Sequence, residues 1–167
     1  IYSDWKNKLN MRPSSLLLQE ESAMLPRSMG TILHQALAKL QHPDDLSLVL
    51  WEMEMKGIIA TSIKEDVKKI LEKILINPLM DNWRNGTMQR ISERDVITPG
   101  GSFKRPDLVL IGQELTLVID FKFTEGKDNR FKKQLSEYVN LLKQMNFKNV
   151  SGYLLYGLLD ETDLIED

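Results

Sequence analysis

The stretch RPDLVLIGQELTLVIDFKF, residues 105–123, places charged residues inside runs that are otherwise apolar. Leu, Val, Ile and Phe dominate it, a composition typical of buried strands. Asp107, Asp120 and Lys122 nevertheless lie within these runs. A buried strand rarely carries a charge without a partner or a function, so the position of these three residues needs an explanation.

A hairpin accounts for the charges. We predict strands at residues 103–111 and 115–123, in a register that pairs Leu110 with Leu117 and Asp107 with Asp120. Because side chains alternate between the faces of a strand, the charged residues gather at one end of one face. The other face is apolar throughout and consists of Leu108, Leu110, Leu117, Ile119 and Phe121.

The charged face has two interpretations at this point. Opposed carboxylates repel by up to about 1 kcal/mol in a sheet, and Lys122 or a divalent cation would relieve the repulsion. Mg²⁺ typically binds one or two carboxylates with water and phosphate, so the cluster suits metal-assisted phosphodiester hydrolysis. Alternatively, the hairpin lies at an edge and its charged face is simply solvated.

Composition limits the class of protein. The 167 residues, 42% hydrophobic and 28% charged, indicate one globular domain. The net charge of −2 is unusual for a domain that binds nucleic acid alone, so such contact would be local or supplied by a partner. The absence of cysteine excludes disulfides and fits a reducing compartment, so we expect a cytoplasmic location. No apolar run is long enough to predict a membrane partner.

The N-terminal half predicts helices. Ser28 is expected to cap a helix over MGTILHQALAKL, and Asp44 or Asp45 to begin a second helix that ends at Gly57. No P-loop motif is present, so the sequence predicts no nucleotide triphosphate site of that type.

The remaining elements complete an α/β fold with helices packed on a sheet. Ser62 and Glu65 match a capping box for a third helix, and Asn77-Pro78 should end it. An exposed strand, an amphipathic helix and a final strand are predicted at about 87–97, 128–146 and 150–159.

Several polar residues outside the hairpin are spaced for a shared site. Gly30 and His34 are four apart on the first helix, as are Gln134 and Tyr138 on the last. Each also has a structural interpretation, as a helix or core residue. Four basic residues form either a solvated face or a phosphate-facing patch: Lys127, Arg130, Lys132 and Lys133.

Five short elements follow one another in a recognisable order: GTILH at 30–34, RPDLVL at 105–110, VIDFKF at 118–123, QLSEY at 134–138 and NVSGYLLY at 149–156. This order resembles the PD-(D/E)XK nucleases. It is similar to the RecB-type nuclease domain at the C-terminus of AddA-like and UvrD-like helicase–nucleases. The resemblance covers about residues 28–157. It implies a restriction-endonuclease-like mixed sheet, after a segment of a larger protein at 1–27 and before a tail at 158–167.

The resemblance also implies a metal site. In the family, the helix histidine and the two strand acids bind divalent metal, so His34, Asp107 and Asp120 would bind Mg²⁺ or Mn²⁺. The backbone carbonyl of Phe121 would be a further ligand. Glu93 is a looser candidate for another carboxylate, because the family places that residue variably.

The catalytic roles come from the same resemblance. Lys122 would position or activate the attacking water beside Asp107 and Asp120. Gln134 and Tyr138 would contact the lysine or a DNA phosphate. The cysteines that bind an iron–sulfur cluster in some relatives are absent, which implies a member without a cluster.

The expected function is therefore metal-dependent DNA hydrolysis. The chain would be the nuclease module of an ATP-dependent helicase–exonuclease in recombination and repair. Its partners would be single-stranded DNA or duplex ends, and a helicase motor in the same parent chain. Two alternatives stay open: a stand-alone exonuclease or endonuclease of the same superfamily, and a non-catalytic DNA-binding or scaffolding module.

Overall fold

The computed structural model describes residues 28–91, 106–124, 126–159 and 161–165. The segment 1–27 and Glu93 lie outside these ranges. The described α-helices are α1 Met29–Lys39, α2 Leu46–Met55, α3 Thr61–Leu75, α4 Asp81–Arg84 and α5 Asn129–Gln144. The described strands are β1 Gln89–Arg90, β2 Leu108–Ile111, β3 Thr116–Lys122, β4 Val150–Tyr156 and β5 Glu161–Ile165.

The strands form one mixed sheet in the order β1-β2-β3-β4-β5. The pair β3–β4 is parallel, and the other three pairs are antiparallel. A parallel pair needs a long crossover, and α5 provides it between β3 and β4. The predicted α/β class is confirmed in this form, a five-stranded mixed sheet with helices.

The predicted hairpin register is confirmed along β2 and β3. Leu110 pairs with Leu117, and the ladder runs from the pair Ile111–Thr116 to the pair Leu108–Ile119. The turn between the strands is closed by the N–H of Gly112, which donates to the carbonyl of Leu115 at 2.8 Å. Asp107 lies just before β2, so the strand pairing stops one residue short of the predicted Asp107–Asp120 pair.

The two faces of the sheet are covered by different helices. The predicted apolar face of the hairpin packs against α1, α2 and α3 in the larger core. The opposite face packs against α5, whose buried side chains are Leu135, Tyr138, Val139 and Leu142. The result is three layers, helices–sheet–helix, around two apolar cores.

Most helix boundaries follow the predicted signals. The Ser28 hydroxyl accepts a hydrogen bond from the Thr31 N–H and caps α1, and Asp45 precedes α2. Gly57 adopts a φ of 67° just beyond α2, a conformation that glycine adopts without strain. The predicted capping box of α3 is wrong, because the helix begins at Thr61 and its N-cap, Ala60, makes no side-chain hydrogen bond.

The last strand of the sheet was not predicted. Residues assigned to a C-terminal tail contain β5, which pairs with β4 from Gly152 to Tyr156. Its sequence, ETDLI, holds two acidic residues, which are depleted in strands, so propensity rules give only a weak strand signal here. At the other edge, only Gln89 and Arg90 of the predicted exposed strand form β1, and residues 92–105 lie outside the described ranges.

No described helix is both long enough and apolar enough to cross a membrane.

Arg90 connects the first helix to the sheet. Its guanidinium donates to the carbonyls of Leu37 and Leu40, at the C-terminal end of α1, and to the backbone carbonyl of Asp107 at 3.4 Å. Carbonyls at a helix end have no partner within the helix, and a cation there also interacts favourably with the helix dipole. One side chain thereby holds α1 beside the residue that starts the hairpin.

We expect Arg90→Met to lower the free energy of unfolding by about 2 kcal/mol, because it keeps the apolar stem but removes these charged hydrogen bonds. Arg84→Met is the matched control. Arg84 pairs with Asp81 on the surface, and the loss of this exposed ion pair should cost no more than about 0.5 kcal/mol. Urea unfolding followed by circular dichroism measures both, and equal losses would contradict the role of Arg90.

Candidate functional site

The charged residues of the hairpin lie at the end of the sheet where β3 finishes and β2 starts. Asp120 and Lys122 share a face of β3 with Val118, which belongs to the core beside α5. Phe121 faces the opposite side and is buried beneath the N-terminal helices. Since β3 and β4 are parallel, this end is the carboxyl end of the parallel pair, where α/β sheets commonly bind ligands.

Asp107 joins three elements through its carboxylate. One oxygen lies 3.0 Å from Nδ1 of His34 on α1. The other accepts a hydrogen bond of 2.8 Å from the backbone N–H of Phe121 on β3. The structure therefore brings together His34 and Asp107, which are 73 positions apart in the sequence.

Asp120 and Lys122 form an ion pair on the α5 face. Only 15% of the Asp120 side chain and 16% of the Lys122 side chain are exposed. The Lys122 ammonium also lies 4.4 Å from the centre of the Phe131 ring, a cation–π contact with α5. Burying two charges to this extent is costly unless they have partners. Here each charge is the partner of the other, and the Phe131 ring is a further partner of the ammonium.

Burial raises the pKa of Asp120 to about 6, and the negative charge of nearby Asp107 adds to the rise. Lys122 opposes the shift through its hydrogen bond and its charge. The repulsion from Asp107 thus disfavours the ionised form of Asp120. A cation that binds this carboxyl below about pH 6 must therefore displace its proton.

The carbonyl of Phe121 is oriented by the strand register. In an antiparallel ladder, the N–H and C=O of a residue point toward the same neighbour, so this carbonyl points to the β2 side, like the N–H that binds Asp107. If the ladder continued past Leu108–Ile119, Pro106 would stand opposite Phe121. Proline has no N–H to donate, so it cannot satisfy this carbonyl in the ladder. Pro106 thus offers no N–H to the Phe121 carbonyl, while the Asp107 carboxylate accepts the Phe121 N–H.

The two predicted residues of α5 lie beside Asp120. Gln134 and Tyr138 line one small pocket together with Pro106, Asp120 and Leu135. Tyr138 is buried and Gln134 is half-buried. The spacing of four residues in α5 therefore places both side chains on the side of the helix that faces the hairpin.

The donor types in the site suit a hard divalent cation, which takes oxygen ligands. Asp107 and Asp120 offer carboxylates, and Phe121 offers a carbonyl. Within the described ranges, however, no group of three or more His, Asp or Glu side chains is arranged to hold a metal ion. His34 contacts Asp107, and Asp120 contacts Lys122, so each of the three predicted side-chain ligands has a partner within the chain.

No protein-family model matches the chain, and none of the curated proteins is significantly similar to it in sequence. The chemistry of the site must therefore be argued from the residues themselves.

The basic segment before and within α5 is largely neutralised by carboxylates. Lys127 contacts Glu161 at 2.6 Å and Asp163 at 2.8 Å, both on β5. Lys132 also reaches Asp163, and Arg130 pairs with Asp128, the N-cap of α5. Three of the four basic residues that could have formed a phosphate-facing patch are thus engaged within the chain.

Two aromatic residues beside the charged pairs were not singled out from the sequence as parts of a site. These residues are Phe131 on α5 and Phe123 just beyond β3. Phe123 packs edge-on against His34, with ring centres 4.9 Å apart and planes at 81°. The alternation of the strand contained a signal for this contact, because Phe123 must share the face of Phe121 if β3 continues.

The raised pKa of Asp120 predicts a pH-dependent stability. Since the folded-state pKa of about 6 lies above the usual 3.8, this group stabilises the fold fully below pH 3.8 and loses that contribution as pH rises through 6. Relative to Asp120→Asn, the wild type should therefore lose on the order of 3 kcal/mol of unfolding free energy between pH 4 and pH 7.

Asp163→Asn is the control, because the pKa of Asp163 is shifted in the opposite direction to that of Asp120. Hydrogen bonding to Lys127 lowers the pKa of Asp163, so its contribution is present above pH 3.8 and is lost as pH falls through the lower folded-state value. Urea titrations of the three proteins at pH 4, 5, 6 and 7 measure both trends. Parallel pH profiles for the wild type and Asp120→Asn would contradict the assigned environment of Asp120.

Proposed function

We propose that the chain is a metal-dependent DNA nuclease domain with a restriction-endonuclease-like sheet. One observation carries the proposal: the fold brings Asp107, Asp120 and Lys122 together at the carboxyl end of a parallel strand pair, with Asp120 buried and its pKa raised. Structural ion pairs rarely need two repelling carboxylates. Perturbed pKa values of this kind are most often found at functional sites.

The cation would be held by Asp107, Asp120 and the carbonyl of Phe121. It would be Mg²⁺ or Mn²⁺, because these ions prefer oxygen ligands. When bound, it would neutralise the two carboxylates, polarise the phosphodiester and make a water molecule more acidic. His34 would either join these ligands or keep orienting Asp107 through the contact that the structure contains.

Lys122 is the candidate for stabilising charge during hydrolysis. Its ammonium is held between Asp120 and the ring of Phe131, so it needs little reorganisation before it donates to a phosphate oxygen or a water molecule. A partly buried position makes that electrostatic contribution larger than it would be on an open surface. Gln134 and Tyr138 would contribute hydrogen bonds from the pocket beside Asp120.

DNA is the substrate that the resemblance favours, and the charge of the chain constrains how it binds. The net charge is −2, and the basic segment near α5 is largely paired with acids. Sequence-independent affinity for DNA comes mainly from unneutralised basic residues. We therefore propose that another part of the parent protein, such as a helicase motor, delivers single strands or duplex ends to this site.

A DNA-binding module without catalytic activity is the second candidate. Both carboxylates already have partners within the chain, His34 and the Phe121 N–H for Asp107 and Lys122 for Asp120. A site closed by such pairs could serve structure alone. It would then have no need to admit a cation.

Cleavage assays separate these candidates. With Mg²⁺, the wild type should degrade linear DNA, and Lys122→Ala and Asp120→Asn should each reduce the rate by at least about 100-fold. Lys148→Ala is the matched control, because Lys148 pairs with Glu114 at the far end of the hairpin and its loss should leave the rate unchanged. Single-stranded and double-stranded substrates are tested side by side. If all four proteins are equally inert yet still bind DNA, the nuclease proposal fails and the binding module stands.

Cation binding can be measured without cleavage. Because a cation must displace the proton on Asp120, the affinity for Mn²⁺ should rise as pH increases toward 6 and level off above it. Asp120→Asn should bind Mn²⁺ at least tenfold more weakly at pH 7. Titration calorimetry with Asp163→Asn as the control reports both effects, and an affinity that is equal in all three proteins would place the cation elsewhere.

A further inference from the structure

The ring of Phe123 occupies a slot between the first helix and the end of β4. It contacts the imidazole of His34 edge-on, with ring centres 4.9 Å apart. On the helix side, its Cβ lies 3.5 Å from where a side chain on Gly30 would begin. Phe123 is half-buried and packs on the larger core, so the ring is held by the fold rather than free in solvent.

Gly157 leaves the space that the ring uses. A Cβ at this position would lie 2.7 Å from Cε1 and 3.1 Å from Cδ1 of Phe123, and 3.1 Å from the terminal methyl of Ile74. Real Cβ atoms essentially never show contacts below 3.0 Å, so a side chain here forces a shift, and the ring of Phe123 is the nearest group. The backbone position of Gly157 is fixed in turn, because its N–H donates to the carbonyl of Lys122 at 3.0 Å.

We propose that Phe123 is a positioning residue for His34 and that Gly157 reserves the space for its ring. The ring of Phe123, which we call the wedge, lies between Gly157 at the end of β4 and the imidazole of His34. A change at Gly157 would therefore move the imidazole and alter the contact between His34 and Asp107. The edge-on geometry favours one orientation of the imidazole, because the positive edge of one ring faces the negative face of the other.

The consequence for catalysis rests on the proposed function, but the wedge itself does not. Gly157 lies next to the two most exposed leucines of the turn, Leu158 and Leu159, and is not itself one of the predicted site residues. A substitution at Gly157 therefore changes the position of Phe123 without removing any predicted site residue. A methyl group at 157 can reach His34 only by moving Phe123.

Side-chain nitrogen–proton NMR spectra at one fixed pH provide the test. The chain has two histidines, so His42, which caps the short helix Pro43–Asp45, serves as an internal reference. Gly157→Ala and Phe123→Ala should each shift the His34 ring signals and leave those of His42 in place. Gly126→Ala is the matched control, since a Cβ there meets nothing within 4 Å.

The double variant decides whether Phe123 carries the effect. In the Phe123→Ala background, adding Gly157→Ala should produce no further shift of His34, because the atom that the methyl group would strike is gone. A further shift equal to that of Gly157→Ala alone would overturn the proposal, as would an unchanged His34 spectrum in Phe123→Ala. Phe123→Leu, which keeps an apolar side chain of similar bulk, repeats the ring-removal test if the alanine variants do not fold.

Cleavage rates then show whether the wedge matters for chemistry. The loss of one aromatic contact predicts a rate about 2- to 10-fold lower for Gly157→Ala and Phe123→Leu. If the wild type itself does not cleave DNA, the nuclease proposal fails while the NMR result still decides the wedge. If the wild type cleaves and the NMR spectra show no coupling, only the wedge is overturned.

Discussion

The carboxylate of Asp107 is the contact on which the arrangement of the site depends. It accepts the Phe121 N–H where strand pairing ends, so a side-chain oxygen takes the place of a backbone carbonyl in the ladder. Its other oxygen meets His34, and its backbone carbonyl meets Arg90. One residue therefore ties the hairpin to α1 and to β1, and its position also sets the repulsion that Asp120 experiences.

The alternation of β3 divides the functional residues between two layers. Asp120 and Lys122 point toward α5, where Phe131, Gln134 and Tyr138 surround them. The intervening phenylalanines point the other way, where Phe121 fills the core and Phe123 meets His34. A strand with this sequence can serve a charged site and an apolar core at once, because its period of two separates them completely.

Local patterns predicted much of this architecture. The hairpin register and the two-faced strands follow from alternation, and the starts of the first two helices follow from Ser28 and Asp45. The misplaced start of α3 and the missed β5 have a common cause. In both segments the local signal was weak or misleading, and packing against the rest of the fold outweighed it.

The residues alone predicted that Asp107, Asp120 and Lys122 lie at one end of a hairpin, because side chains alternate along a strand and the expected register puts the charges on one face. The tertiary structure alone decided what surrounds them. It paired His34 with Asp107, set Phe131 against Lys122, neutralised the basic residues before α5 with acids from β5, and placed Phe123 between His34 and Gly157. These contacts join residues far apart in the chain, and their distances depend on how helices and strands pack, which no periodicity in the sequence encodes.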